Sequence, residues 1–197
     1  MHHVFANIRR VPLWLSLLCA LTAAACGSDA GPIVESNDPG FAMNGKQLMF
    51  QGQPFTGIRR AELPAVEERH LPGYREGLQH GLATVASLDG TKVYSERRYY
   101  AGHPHGEHTG WHRDGKTLRV RQQFVYGKQH GDAWSWHSNG KPAEYRRFDD
   151  ESNLLVYKRW RRTGQIFMNV VYHEGRTIGM PGSKVCDPIG TANSPES

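Results

Sequence analysis

A self-similarity of 24–25 residues constrains this chain's fold more than any other feature. A Gly-x-x-x-Gly segment starts at Gly77, Gly102 and Gly127, 25 residues apart, and closes at Gly81, Gly106 and Gly131. A further copy, Gly175 to Gly179, lies two periods of 24 later. Gly52 and Gly57 bracket an earlier copy, and a degenerate start near Glu151 fills the gap. Three residues before each start stand Met49, Tyr74, Tyr99, Phe124, Phe148 and Tyr172. A second column reads Asp89-Gly90, Asp114-Gly115, Asn139-Gly140 and Thr163-Gly164, and four residues before those glycines come Ala86, Trp111, Trp136 and Trp160. Columns kept in register at one period imply a structural unit repeated in space.

The chemistry of each column specifies that unit. Asp-Gly and Asn-Gly favour the positive-φ turns that join antiparallel strands, so hairpin turns are expected at Gly90, Gly115, Gly140 and Gly164. Beyond Gly115 the sequence alternates: Leu118, Val120, Gln122, Phe124 and Tyr126 share one face, and Arg119, Arg121, Gln123 and Val125 the other. Period two marks a half-buried strand. Ile166, Met168, Val170 and Tyr172 repeat it. Each unit therefore reads as strand, tight turn, strand, Gly-bounded turn. One hairpin cannot bury its aromatic face alone, but stacked neighbours can. The expected fold is all-β: an elongated antiparallel β meander or solenoid of stacked β-hairpin repeats over residues 44–182. The 22 glycines, 38% hydrophobic content and mean hydropathy of -0.61 suit a thin core with many turns.

The first 25 residues read as an address. Arg9 and Arg10 precede an apolar run from Val11 to Ala25, too short to span a bilayer, which takes ~20 residues. The run ends Ala23-Ala24-Ala25-Cys26 and resembles the lipobox of bacterial lipoproteins, whose cysteine is acylated, for instance with palmitate. Cleavage after Ala25 without acylation is the alternative. Gly27 after the cysteine, by the same resemblance, favours the periplasmic face of an outer membrane. Losing Arg9 and Arg10 lowers the formal charge from +5 to +3, and neither motif nor charge points to nucleic acid. Residues 26–43, rich in Gly, Pro, Ser, Asn and Asp, read as a flexible tether, and residues 183–197 as a disordered tail.

The pieces Tyr-x-x-Gly-x-x-x-Gly (Tyr74 to Gly81, Tyr99 to Gly106) and Trp-x-x-(Asp/Asn)-Gly (Trp111 to Gly115, Trp136 to Gly140) resemble MORN-type repeats. The variant is that of bacterial proteins labelled YwqK-family antitoxin components. The resemblance implies a repeat-based protein or lipid contact surface and an antitoxin-like label. The pattern departs at 150–153, where Asp150-Glu-Ser-Asn153 replaces the Gly-bounded turn, and again between Gly57 and Gly73.

Several constellations could carry function. His103, His105, His108 and His112 cluster within one unit, and imidazoles ligate copper or zinc, so periplasmic metal handling is one reading. His80, His105 and His130 recur at one repeat position, which makes repeat grammar the competing one. Trp111, Trp134, Trp136 and Trp160 could form a stacking platform or the sheet's own core. Arg119 and Arg121, extended by Arg146, Arg159 and Arg161, are expected to form a basic ribbon on one face, suited to an acidic protein partner or anionic headgroups. No catalytic motif appears, Glu67-Glu68 and Asp149 to Glu151 have no evident partner, and no cofactor is implied. The reading is thus a non-enzymatic envelope lipoprotein, held by its lipid, that binds or scaffolds a protein partner.

Overall fold

The computed structural model describes residues 31–173 and 176–180. The leader, Cys26, Gly175 and the C-terminal tail lie outside them. The described residues are all-β, with one turn of 3-10 helix at Pro64–Val66 and no α-helix. In chain order the strands are β1 Ile33–Glu35, β2 Phe41–Asn44, β3 Gln47–Phe50, β4 Gln53–Pro54, β5 Gly57–Leu63, β6 Glu68–Arg75, β7 Leu78–Ser87 and β8 Val93–Tyr100. They continue with β9 His103–Trp111, β10 Leu118–Val125, β11 Lys128–Trp136, β12 Pro142–Phe148, β13 Leu154–Trp160, β14 Ile166–His173 and β15 Arg176–Met180.

Twelve of these make one open sheet, β1-β5-β6 and then every strand in sequence to β15. All neighbours are antiparallel except β1, which pairs parallel to β5 through Ile33↔Ile58. The segment expected as a tether therefore contributes two strands: β1 at the sheet edge, and β2 in a small sheet with β3 and β4. Gly, Pro and Asp are placed there by tight turns, such as the Asp38 carboxylate accepting the Gly40 N–H at 2.8 Å. The small sheet docks by its aromatics: Phe55, 3% exposed, meets Phe41, Phe50 and Tyr74 at 5.1, 5.8 and 6.0 Å.

The two glycine columns make different turns. At Gly90, Gly115, Gly140 and Gly164 only the glycine has positive φ, and its N–H donates to the carbonyl three residues back. At Gly77, Gly102 and Gly127 the preceding residue is left-handed as well: Glu76, Ala101 and Tyr126. Two positive-φ residues in succession define the primed hairpin turn that matches strand twist. Gly102 N–H also donates to Gln79 O, and Gly127 N–H to Pro104 O, both at 2.8 Å, so this sheet edge is stapled from repeat to repeat. The second glycine of Gly-x-x-x-Gly does not close a turn. Gly81, Gly106 and Gly131 lie inside β7, β9 and β11 with φ of 74, 82 and 64°, at register shifts against β6, β8 and β10. They are bulges, which bend the strand and sharpen its twist.

The break at 150–153 stands at the Gly127 position of the repeat but makes the turn of the Gly140 column, with one positive-φ residue instead of two. Ser152, φ 72°, sits 25 residues after Gly127, and its N–H donates to Asp149 O at 3.1 Å. The Asp149 carboxylate accepts the N–H groups of Glu151 and Asn153 and holds the loop. Period 24 begins one turn earlier. His112 N–H bonds Thr117 O across one loop, whereas His137 N–H bonds Lys141 O, one residue sooner.

The core is thin, as a single sheet layer requires. Only Leu48, Phe55, Ala86, Ala133 and Val170 are buried hydrophobics among the described residues. Leu118, Val120 and Phe124 are half-buried, but Tyr126 lies in the turn, 61% exposed.

Candidate binding groove

Strand register sorts side chains onto two faces. Val120 pairs with Gly110 and Ser135, Gln122 with His108, and Phe124 with Gly106. Ser95 pairs with Gly110 and Arg97 with His108, while Glu144 pairs with Ser135 and Arg146 with Ala133. These residues share the front face. On β9 and β11 the front positions are small, apart from His108: Gly106 and Gly110, then Gly131, Ala133 and Ser135. On β8, β10 and β12 they are long, including Arg97, Tyr99, Gln122, Phe124, Glu144 and Arg146. Adjacent strands are ~4.8 Å apart, so ridges recur every ~10 Å, with a channel over each small-residue strand.

Two depressions on this face adjoin. The larger, about 690 Å³, is bordered by Arg97, Tyr99, Gln122, Phe124, Glu144 and Arg146. The smaller, about 410 Å³, is bordered by Glu68, His70, Tyr94 and Arg113. Ser95, Arg97 and Arg119 belong to both, making one groove from β6 to β12. Its ends are ion-paired. At one, Glu68 holds His70 at 2.9 Å and Arg113 at 3.0 Å, with Arg113 over the Tyr94 ring at 4.9 Å. At the other, Glu144 meets Arg146 at 2.9 Å and Arg159 at 3.8 Å, and accepts from the Tyr157 hydroxyl.

The expected basic ribbon is divided between faces. Strict alternation would place Arg119 with Arg121. A register shift between Leu118 and Val120 inserts a residue, and Arg119 borders the groove beside Val120. Arg121, in register with Thr109 and Trp134, stays on the back face. Arg159 joins the front through Glu144. Arg161 follows the end of β13, and both it and Arg159 lie over the Phe167 ring, at 6.0 and 5.2 Å. Arg97 joins the front through its register with His108 and is a groove residue outside the expected ribbon.

The four clustered histidines are not brought together. His105 packs on Tyr126 at 4.9 Å and accepts its N–H through Nδ1, while His103 is exposed at the start of β9. His108, 6% exposed, lies in the groove floor between Tyr99 and Phe124, and its Nε2 donates to Arg98 O at 2.8 Å. Burial, reinforced by the Arg97 charge, holds His108 below its usual pKa against the opposing effect of that hydrogen bond. His112 Nε2 donates to Trp136 O at 3.0 Å, and His137, unremarked in sequence, repeats the bond to Trp160 O at 3.0 Å. The dipeptide Trp-His, recurring at 111 and 136, is the signal for this rung. Among the described residues no three metal-ligating side chains converge.

The back face carries an aromatic patch. Trp134 contacts Tyr145 at 4.4 Å and lies nearly parallel to Trp136 and Trp160, at 6.3 and 6.1 Å. All four are half-buried. Trp111, in β9, borders the smaller depression, as Trp136 borders the larger. No helix among the described residues is long and apolar enough to cross a membrane.

No known family, no curated protein and no solved structure matches the chain.

Proposed function

We propose that the chain is a non-enzymatic cell-envelope lipoprotein, anchored through acylated Cys26, whose repeat sheet is a binding or scaffold surface for a protein partner. The observation that carries this reading is the continuous polar groove on the front face, lined by arginines and aromatics and left open by a sheet of one layer. Such a face offers a partner long side chains on ridges and small residues in the channels between them. The MORN-type identity of the repeats, their stacking as a solenoid and an antitoxin-like role belong to the same proposal. The bipartite charge of the groove, basic at its centre and ion-paired at its ends, favours a partner segment with acidic side chains. Metal handling is the weaker reading, because His103, His105, His108 and His112 each serve separate surroundings.

The test uses the full chain expressed in a Gram-negative host. An acyl mass is expected on Cys26 and none on Cys26→Ala, with membrane fractionation only of the former. In protein isolated from its native envelope, oxidative footprinting should show Tyr99 and Phe124 protected relative to purified protein, with Tyr126 unchanged. Absence of the acyl mass removes the anchor, and unchanged oxidation of Tyr99 and Phe124 removes the groove as the binding face.

A further inference from the structure

The groove's arginines are not alike. Arg113, Arg146 and Arg159 are each paired with Glu68 or Glu144. Arg97 and Arg119, the two shared by both depressions, have no ion-pair partner among the described residues. They flank one stretch of β9. Arg97 is in register with His108, which feels its charge. The Arg119 guanidinium lies over Gly110, where an added Cβ would come within 3.0 Å of Nη2 and 2.9 Å of Val120 Cγ1. Gly110 has no positive φ to explain it, and the equivalent positions in neighbouring repeats are Val85 and Ser135. Glycine stands there because Val120 Cγ1 and the Arg119 guanidinium together occupy the space a side chain would take. Ser95, 5% exposed, pairs with Gly110 and completes the floor.

We propose that Arg97 and Arg119 form a two-guanidinium anion centre, floored by Gly110 and Ser95, that takes the side-chain carboxylates of an extended acidic peptide segment. This rests on the reading of the groove as the binding face and names what it recognises. Guanidinium forks match carboxylates bidentately, and charge-assisted bonds of this kind are the strong ones. A carboxylate arriving here finds positive charge that no neighbouring acid has neutralised. The centre lies in a channel of peptide width, since ridges two strands apart are ~10 Å from each other. A flat charged bilayer cannot follow that channel, whereas a single extended chain can. Tyr99, Val120 and Phe124 beside the centre offer apolar contacts to the side chains that alternate with the acids.

The test measures fluorescence anisotropy of a short labelled peptide with a central run of four glutamates between Gly-Ser flanks, against the full chain. The glutamine counterpart is the control. Binding is expected of the glutamate peptide alone, weakened at least tenfold in Arg97→Gln/Arg119→Gln and tenfold or more by raising salt from low to about 0.3 M. Gly110→Val, which displaces the Arg119 guanidinium but keeps both charges, should also weaken it. Arg121→Gln on the back face should leave it unchanged, and circular dichroism must report the same strand content in all variants. Anionic phospholipid vesicles should not distinguish wild type from the double variant. Equal peptide affinity in wild type and double variant, no glutamate binding by wild type, or vesicle capture dependent on the two arginines would overturn the centre. If Tyr99 and Phe124 remain protected in the envelope while the double variant binds normally, the groove stands and the anion centre falls. Loss of that protection removes both.

Discussion

Ser152 and Gly140 form a mirror pair for measuring what the repeat turn requires. Ser152 holds φ 72° where earlier repeats carry glycine. Gly140 holds φ 78°, and a Cβ built there meets nothing within 4 Å. A side chain at either position thus meets the left-handed backbone penalty rather than a clash. That penalty is ~1–2 kcal/mol for an L-residue. Glycine's larger loss of freedom on folding offsets about 0.5–1 kcal/mol of it. Ser152→Gly should therefore stabilise the protein by about 0.5–1 kcal/mol, and Gly140→Ser should destabilise it by the same amount. For a domain of this size a change of 1 kcal/mol moves Tm by roughly 2–4 °C. The assay is paired thermal and urea unfolding of both variants. Destabilisation by Ser152→Gly would refute the placement of the 150–153 segment as a true repeat turn.

Further outcomes follow from the titrating groups and one ring. His108 is held below its ordinary pKa, so its contribution is fully present above about pH 6.5 and declines as pH falls below that value; His108→Gln should flatten the unfolding midpoint between pH 7 and 5. Asp89 and Asp114 are held at about 2 by hydrogen bonds within their turns, led by Ser87 and by Thr117. The stability they add is present above about pH 4 and lost as pH falls toward 2, so Asp89→Asn/Asp114→Asn should shrink the acid limb of a pH–stability curve. Phe124, half-buried against His108 at 4.5 Å, should cost about 1.5–3 kcal/mol on truncation to alanine, less than a fully buried ring because part of it already meets water. Urea unfolding of Phe124→Ala measures it.

The sequence made some of this legible and hid the rest for physical reasons. The glycine of Asp-Gly, Asn-Gly and Thr-Gly marks its turn directly, because the turn needs one positive-φ residue, and all four expected turns occur. Period-two alternation was reliable for Val120 to Phe124 but not for Arg119, because a bulge adds a residue without any composition mark. Gly106 was read as closing a turn because a positive-φ glycine looks alike in a turn and a bulge. Residues 33–43 look like a tether because the strands there, β1 and β2, are three and four residues long and turns dominate the composition. Arg97 escaped notice because β8 carries charge on both faces, and only its register with His108 shows which arginine enters the groove. Clustering in sequence brought His103, His105, His108 and His112 to attention, whereas strand geometry and the Gly106 bulge send their rings to different surroundings.

Gln122 and Gln123 are consecutive on β10 and face opposite sides of the sheet: Gln122 borders the groove, and Gln123 reaches Glu107 on the back. A photo-crosslinking residue placed at each in turn, in the anchored protein in its native envelope, compares the faces at one point along the chain. A discrete adduct with one protein partner is expected from position 122 and none from 123. An adduct from 123 alone, or equal adducts from both, would contradict the front groove as the face that binds.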